Sequence, residues 1–287
     1  MESTGNWPKW RREAADYVRS KCSVTPQIGL ILGSGLGPLA DEIEAQAVIP
    51  YKDVPHMPAS TVQGHQGEFV IGTLEGKTVM AMKGRVHYYE GYSMQEIAFP
   101  VWLMRTLGAT HLIVTCAAGG ANRSFSAGDL MVIVDHINWM FDNPLIGPSD
   151  DDLGTRFPSM GEAYPWELVE LAQKAADSVG IRVQRGVYIG TTGPYYTTMA
   201  EGQLFRLLHA DAVGMSTVPE VIAATHAGMK TLGIAAITDV SNDPKAGKRG
   251  ILTHEEVLRT ANAIGPKFVR LMKAIIRQLD PGPAQAQ

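Results

Sequence analysis

The chain has 287 residues, 45% of them hydrophobic, which is enough apolar material for one large domain with a substantial core. Its 25 basic and 29 acidic side chains give a net charge of -4. This balance lacks the excess of positive charge that binding to a phosphate backbone requires, so we expect no nucleic-acid partner.

The cysteines and the lack of a long apolar segment indicate a cytoplasmic protein. Cys22 and Cys116 lie far apart, outside any C-x-x-C pair or Cys/His cluster, and we expect both to be reduced thiols. No apolar run approaches the roughly 20 residues of a membrane span, and the N-terminal residues lack the apolar core of a secretion signal. We therefore expect no membrane partner.

Apolar, β-branched runs alternate with helix-period stretches along the chain. In chain order, strands are predicted at residues 28–32, 69–73, 79–82, 112–115, 130–134, 187–189 and 232–238. Helices are predicted at residues 10–21, 94–107, 166–179, 200–208, 219–227 and 254–278. This alternation favours an α/β fold whose sheet, mixed and mostly parallel, is covered by helices.

No repeat or composition break divides the chain, so residues 1–280 are predicted to form a single domain. The segment 142–159 is rich in Pro, Gly and Asp and too long for a simple connection, which predicts a functional loop. Residues 281–287 are predicted to be a disordered C-terminal tail.

A glycine-rich motif, Gly33-Ser34-Gly35-Leu36-Gly37, follows the first predicted strand. Its glycines leave backbone N–H groups free to converge on a phosphate, and Ser34 adds a hydroxyl. A tight strand-to-helix turn explains the motif equally well. A dinucleotide site fits poorly because Pro38 stands where the third glycine belongs, and a serine-nucleophile elbow fails because Leu32 replaces its first glycine.

Two further polar or small-residue segments follow predicted strands. Gly84-Arg85-Val86-His87-Tyr88-Tyr89-Glu90-Gly91 offers a guanidinium and an imidazole that suit phosphate oxygens, although a solvated turn can be equally polar. Residues 115–120 end another buried strand with small residues that let a ligand approach main-chain N–H groups. Parallel strands deliver such loops to one sheet edge, so one anion can touch all three.

Five motifs occur in the same order in a known family. They are Gly33-Ser34-Gly35-Leu36-Gly37, Gly64-His65, Gly84-Arg85-x-His87-x-Tyr89-Glu90-Gly91, Ala117-Ala118-Gly119-Gly120 and Gly214-Met215-Ser216-Thr217-Val218-Pro219-Glu220. By them the chain resembles the trimeric purine nucleoside phosphorylase and methylthioadenosine phosphorylase family, and it is most similar to the former branch. The resemblance implies a distorted, barrel-like mixed sheet flanked by helices. It also implies a homotrimer that uses inorganic phosphate as co-substrate, with no cofactor and no metal.

The resemblance also implies roles for individual residues. The phosphate-binding residues would be Ser34, His65, Arg85, His87, the backbone of Ala117, and Ser216. The ribose-binding residues would be Tyr89, Met215 and His254. The base-binding residues would be Tyr196, Thr197, Asp239 and, from a neighbouring subunit, Phe157. His87 and Asp239 would act in catalysis, with Glu90 orienting His87.

Two base-reading positions depart from the pattern of family members that prefer 6-oxopurines. Those members carry Phe-Glu-Thr where this chain has Tyr196-Thr197-Thr198, and Asn where it has Asp239. Thr197 can donate to the N1 of adenine and Asp239 can accept from its N6 amine, whereas a carboxylate at the first position suits the N1–H of inosine. We therefore expect a preference for adenosine.

Other functions stay open on the sequence alone. The base pocket resembles the methylthioadenosine branch, but the polar His254 resembles the nucleoside branch, and an enzyme that prefers inosine and guanosine remains an alternative. A nucleoside hydrolase would need an Asp-rich calcium site, which the sequence lacks. A catalytically idle nucleotide-sensing protein of the same fold is disfavoured by the retention of Ser34, Arg85, His87 and Tyr89.

Overall fold

The structure, a computed structural model, describes residues 6–61, 66–240 and 252–285. The helices in these ranges are Trp7–Lys21 (α1), Met94–Leu107 (α2), Trp166–Ser178 (α3), Met199–Leu207 (α4), Val218–His226 (α5) and His254–Gln278 (α6). The strands are Ile28–Leu32 (β1), Glu44–Pro50 (β2), Glu68–Leu74 (β3), Lys77–Lys83 (β4), His111–Gly120 (β5), Leu130–Asn138 (β6), Gln184–Gly190 (β7), Ala212–Gly214 (β8) and Lys230–Asp239 (β9).

Each predicted helix and strand has a counterpart, but several bounds differ from the prediction. Helix α1 begins earlier, at Trp7, because the Asn6 side chain accepts from the backbone N–H of Lys9 and Pro8 fits the first turn. Strand β5 continues to Gly120, so the small residues expected in a loop lie in the strand itself. The prediction missed β2, which is largely exposed, and β8, which is only 3 residues long.

The described strands form one mixed sheet that closes on itself at one end. Its order is β2-β3-β4-β1-β5-β8-β7-β6-β9, and β9 also pairs with β5. The last five strands therefore form a distorted barrel, and the first four extend from β5 as an open sheet. Pairing is parallel within β4-β1-β5-β9 and β6-β7-β8, and antiparallel at β2-β3, β3-β4, β5-β8 and β6-β9.

Helices cover the sheet on both faces, which confirms the α/β prediction. Strand β1 is buried along its whole length: Ile31 packs in the core cluster that contains α1, α2 and α5, whereas Leu30 packs in the cluster that contains α3 and α6. This double burial is typical of a strand inside a parallel region. No helix in the described ranges is both long and apolar enough to cross a bilayer.

The first residues of the predicted disordered tail are held against the body of the protein. The carbonyl of Pro281 accepts from Thr110 Oγ1 at 3.1 Å, and the N–H of Gln285 donates to the carbonyl of Gly108 at 3.0 Å. Arg105 also donates to the Gln285 carbonyl, at 2.7 Å. These tertiary hydrogen bonds join Pro281 and Gln285 to residues distant in sequence, which composition does not indicate.

Candidate active site

The glycine-rich loop after β1 is pressed against the neighbouring strand β5. A Cβ atom at Gly33 would lie 2.8 Å from the Cα of Cys116 and 2.8 Å from the carbonyl oxygen of Thr115, so no larger residue fits. The Gly33 N–H donates to Thr115 Oγ1 at 3.2 Å. Gly35 has a φ of +76°, and a Cβ there would meet Ala261 of α6 at 2.5 Å. These contacts fix Ser34 at the end of β1.

Arg85 is a buried cation just beyond the end of β4. Only 1% of it is exposed. Its Nη2 donates to the Thr115 carbonyl at 2.8 Å, and its Nη1 lies 3.4 Å from Oε1 of Glu220 in α5. The guanidinium therefore has a set position between β5 and α5.

His87 is oriented by Glu90, three residues further along the chain. Glu90 Oε1 accepts from the His87 backbone N–H at 2.7 Å and lies 3.0 Å from His87 Nδ1. Its other oxygen accepts from the N–H and hydroxyl of Thr61. Burial raises the pKa of Glu90, but these hydrogen bonds outweigh burial and bring the pKa down to about 2. The imidazole also stacks on the ring of Tyr89, with ring centroids 4.7 Å apart.

Ser216 precedes a strained turn at the start of α5. Thr217 is fully buried and has φ 74° and ψ −50°, and the N–H of Val218 donates to the Ser216 carbonyl at 2.8 Å. This is a tight three-residue turn with a rarely populated backbone, a feature that clusters at functional sites. The Ser216 N–H lies 3.4 Å from the buried Tyr188 hydroxyl, whose pKa burial raises.

A bulge at the end of β9 sets the direction of Asp239. The register with β5 shifts so that Ala118 pairs with Ile237 but Gly119 pairs with Asp239, which leaves Thr238 as an extra residue. A Cβ at Gly119 would lie 3.3 Å from Asp239 Oδ1, so glycine leaves space beside the carboxylate. The hydroxyl of Thr238 donates to the same oxygen at 3.4 Å.

These elements enclose one cavity of about 370 Å³. The predicted site residues that line it are Ser34, Arg85, His87, Tyr89, Ala117, Tyr196, Thr197, Met215, Ser216, Asp239 and His254. Glu90 does not line the cavity and instead lies behind His87. Phe157 is 86% exposed and does not line the cavity of its own chain. His65 lies outside the described residues.

Other lining residues belong to segments that the sequence analysis singled out without a role for each residue; they are Gly33, Cys116, Ala118, Gly119 and Gly214. Sequence reasoning missed Thr191, Pro194, Val213, Thr238, Leu252 and Val257, of which most are apolar and form walls around the polar groups. The available signal was adjacency in sequence, since Val213 precedes Gly214 and Thr238 precedes Asp239. In the described ranges, no three His, Cys, Asp or Glu side chains cluster as a metal site would require.

The cavity is lined by two chemically different sets of groups. One set is a guanidinium, an imidazole and two serine hydroxyls, which are groups that suit an oxyanion. The other set is Thr197, Asp239 and the Tyr196 ring, which are groups that suit the edge and face of a nitrogen heterocycle. The model of the "Phosphorylase superfamily" matches residues 27–277, so the chain is a phosphorylase of this superfamily.

Comparison with similar proteins identifies the family within this superfamily. A purine nucleoside phosphorylase 1 from Geobacillus stearothermophilus is 54% identical over 93% of this chain and 96% of its own, and the Rattus norvegicus purine nucleoside phosphorylase is 40% identical over 98% of each. The Schistosoma mansoni purine nucleoside phosphorylase solved with adenosine has a TM-score of 0.90 at 38% identity, covering 95% of this chain and 98% of the other. The chain belongs to the purine nucleoside phosphorylase family, whose members are pentosyltransferases.

Proposed function

We propose that the enzyme catalyses reversible phosphorolysis of purine ribonucleosides and deoxyribonucleosides and prefers 6-aminopurines such as adenosine. One observation carries the preference: Thr197 and Asp239 both line the cavity, beside Tyr196. A threonine hydroxyl can donate to the unprotonated N1 of adenine, and a carboxylate can accept from its N6 amine. A 6-oxopurine would present its carbonyl oxygen to the Asp239 carboxylate, an unfavourable pairing of two acceptors.

In this proposal inorganic phosphate is the co-substrate, and no further cofactor is needed. Arg85, His87, Ser34, Ser216 and the Ala117 backbone would hold the anion, and the burial of Arg85 strengthens each charge-assisted hydrogen bond. A phosphate fixed beneath the sugar is an oriented nucleophile, which removes most of the entropic barrier to attack. Residue His65 would join this group.

The reaction then displaces the purine at the sugar carbon. The C1′–N9 bond lengthens, a phosphate oxygen bonds to C1′, and the bonding electrons leave with the purine. Asp239 would bind the base as a carboxylate and take up a proton from solvent only as the bond breaks. Its O–H would then donate that proton to N7 and so neutralise the charge that develops on the base. Glu90 keeps His87 oriented throughout, because its carboxylate stays ionised far below neutral pH.

The ribose would lie between Tyr89, Met215 and His254. His254 is the first residue of α6, where Thr253 and Glu256 form a capping box that fixes the start of the helix. Leu252 and Val257 make the adjacent wall apolar. A His beside such a wall suits a 5′-hydroxyl, which supports a nucleoside over a methylthio nucleoside.

We propose that a homotrimer completes the site and that the protein works in the cytoplasm. The ring of Phe157, with the guanidinium of Arg156 5.4 Å from its centroid, is exposed and so accessible to a neighbouring subunit, which is what the role implied by the family resemblance requires. The two cysteines are buried and unpaired, as expected in a reducing compartment.

A substrate panel tests the preference. Phosphorolysis of adenosine, deoxyadenosine, inosine, guanosine and methylthioadenosine would be followed with and without phosphate. We expect kcat/KM to be highest for adenosine or deoxyadenosine and activity to require phosphate. The Schistosoma mansoni enzyme has been solved with adenosine and with inosine, so either base suits this fold. A clear preference for inosine and guanosine would overturn the proposed preference for 6-aminopurines. A preference for methylthioadenosine would show that the enzyme is a methylthioadenosine phosphorylase.

A paired substitution tests the residues. Thr197→Glu combined with Asp239→Asn should shift the kcat/KM ratio of inosine to adenosine by roughly 100-fold or more, because buried unpaired groups then face the 6-amino base. The matched control is Thr192→Glu, a nearby threonine that does not line this cavity. An unchanged ratio in the double variant would show that these side chains do not read the base.

A further inference from the structure

The Arg85–Glu220 pair is isolated from water. The exposed fractions of the two residues are 1% and 2%, and the atoms Nη1 and Oε1 are 3.4 Å apart. Desolvating a carboxylate this fully is costly unless an opposite charge and hydrogen bonds compensate. Yet Glu220 Oε2 has no hydrogen-bond partner within the part of the chain that the structure describes. The nearby charge of Arg85 therefore carries most of the compensation.

The two partners have different access to the cavity. Arg85 lines it, whereas Glu220 does not. Glu220 is the third residue of α5, directly after the strained turn at Thr217, so the rigid start of the helix holds it in place. The positive end of the helix dipole also favours a carboxylate there. The guanidinium thus stands between a fixed negative charge and the ligand.

We infer that Glu220 is a positioning residue that holds Arg85 in place and at the same time limits how tightly the cavity binds phosphate. The inference rests on the proposed role of Arg85 in phosphate binding. Before phosphate binds, the carboxylate compensates the buried guanidinium. When phosphate arrives, the same carboxylate repels it across a poorly screened interior. Release of phosphate and of the sugar phosphate product is correspondingly easier.

The positioning role of Glu220 and its effect on phosphate affinity can be separated by a substitution that removes the charge of the side chain but keeps its shape. In Glu220→Gln an amide oxygen can take the place of the carboxylate oxygen that lies 3.4 Å from Arg85 Nη1, and the Thr115 carbonyl still accepts from Nη2 at 2.8 Å. The orientation of the guanidinium is therefore retained, and only the negative charge is lost. Removing a buried unit charge this close to the anion should tighten phosphate binding by roughly ten-fold.

The experiment measures phosphate binding by calorimetry and by thermal unfolding at increasing phosphate. We expect Glu220→Gln to bind phosphate roughly ten-fold more tightly than the wild type, to unfold at a lower temperature without phosphate, and to gain more from added phosphate. The KM for phosphate should fall while the KM for the nucleoside stays the same. A phosphate Kd equal to or above that of the wild type would overturn the inference.

Matched variants isolate the effect of the charge at position 220. Glu96→Gln changes a carboxylate at the same position of a helix start, in α2, where it accepts from Ser93 and lies outside the cavity, and its phosphate Kd should equal that of the wild type. Glu220→Asp keeps the charge and should also leave the phosphate Kd nearly unchanged. If Glu220→Gln does not fold in buffer, it should fold at saturating phosphate, and failure there counts against the inference.

Arg85→Gln distinguishes this inference from the proposed function. We expect it to lose phosphate binding by at least roughly 100-fold, since a charged hydrogen-bond donor is removed from a buried anion site. Normal phosphate binding by Arg85→Gln would refute the proposed phosphate site itself. Lost binding in that variant, combined with no tightening in Glu220→Gln, would refute only the role given to Glu220.

Discussion

Replacing Gly33 by alanine tests whether the close contact between the glycine-rich loop and β5 positions Ser34 for the proposed binding of phosphate. The added Cβ would lie 2.8 Å from the Cα of Cys116 and 2.8 Å from the carbonyl oxygen of Thr115. Both are backbone atoms of a central strand and cannot rotate away. Overpacking of this kind costs roughly 1–3 kcal/mol, which corresponds to a fall in Tm of roughly 5 °C for a chain of this size.

The loop must yield rather than the strand, so Ser34 moves from its place in the cavity lining. We expect the KM for phosphate to rise roughly ten-fold in Gly33→Ala, because small misplacements of binding groups have large effects. The matched control is Gly37→Ala, whose Cβ would have nothing within 4 Å and whose stability should change by no more than about 0.5 kcal/mol. Differential scanning fluorimetry and initial rates at varied phosphate would measure both variants. A Gly33→Ala enzyme with the wild-type Tm and phosphate KM would refute the reasoning.

Three further perturbations test separate parts of the structure. The folded pKa of Glu90, about 2, is below its ordinary 4.5, so its carboxylate contributes stability that is present above pH 4.5 and is lost as the pH falls towards 2. Urea unfolding should therefore show a constant difference between wild type and Glu90→Gln at neutral pH, and a smaller one below pH 4.5. Asp150→Asn removes the charge partner of Arg11, whose side chain is 3% exposed, and should lower the free energy of unfolding by roughly 3 kcal/mol. The control Asp152→Asn breaks an exposed pair with Arg12 and should change the free energy of unfolding by less than about 0.5 kcal/mol. Phe157→Ala should lower kcat/KM by roughly ten-fold, because the proposed site of the neighbouring subunit loses this ring. Its Tm should not change, since Phe157 is 86% exposed in the protomer. An unchanged kcat/KM would argue against a role of Phe157 in a neighbouring site.

The elements that the sequence predicts well are those whose signal is local. Strand β1 is a continuous apolar run followed by glycines, so the sequence predicted both the strand and the position of the loop that carries Ser34. Strand β8 has 3 residues and no apolar run, and it exists because β5 and β7 provide pairing partners. Its residue Val213 in the cavity wall was missed for the same reason.

Side-chain direction and charge pairing depend on tertiary contacts and were harder to predict. The direction of Asp239 towards the cavity depends on a register shift between β5 and β9 that the sequence of β9 does not indicate. Glu220 belongs to a motif that was noticed, yet its contact with Arg85 arises only when α5 packs beside the end of β4. The hydrogen bonds of Pro281 and Gln285 likewise depend on partners distant in sequence.

The branching of the sheet at β5 explains why a single cavity is lined by both Arg85 and Asp239. Strand β5 pairs with β1 on the open side and with β8 and β9 in the barrel, so the loop at Ser34 and the bulge at Asp239 meet across the small residues that end β5. Glu220 compensates the charge of the buried Arg85 from outside the cavity, whereas Arg85 itself lines the cavity, so the guanidinium can still bind an anion there. Water as the attacking group would make no charge-assisted hydrogen bond with Arg85, whereas phosphate would make such bonds and be held where it can attack. The proposed site therefore favours phosphorolysis over hydrolysis, because these interactions are available only to an anionic nucleophile.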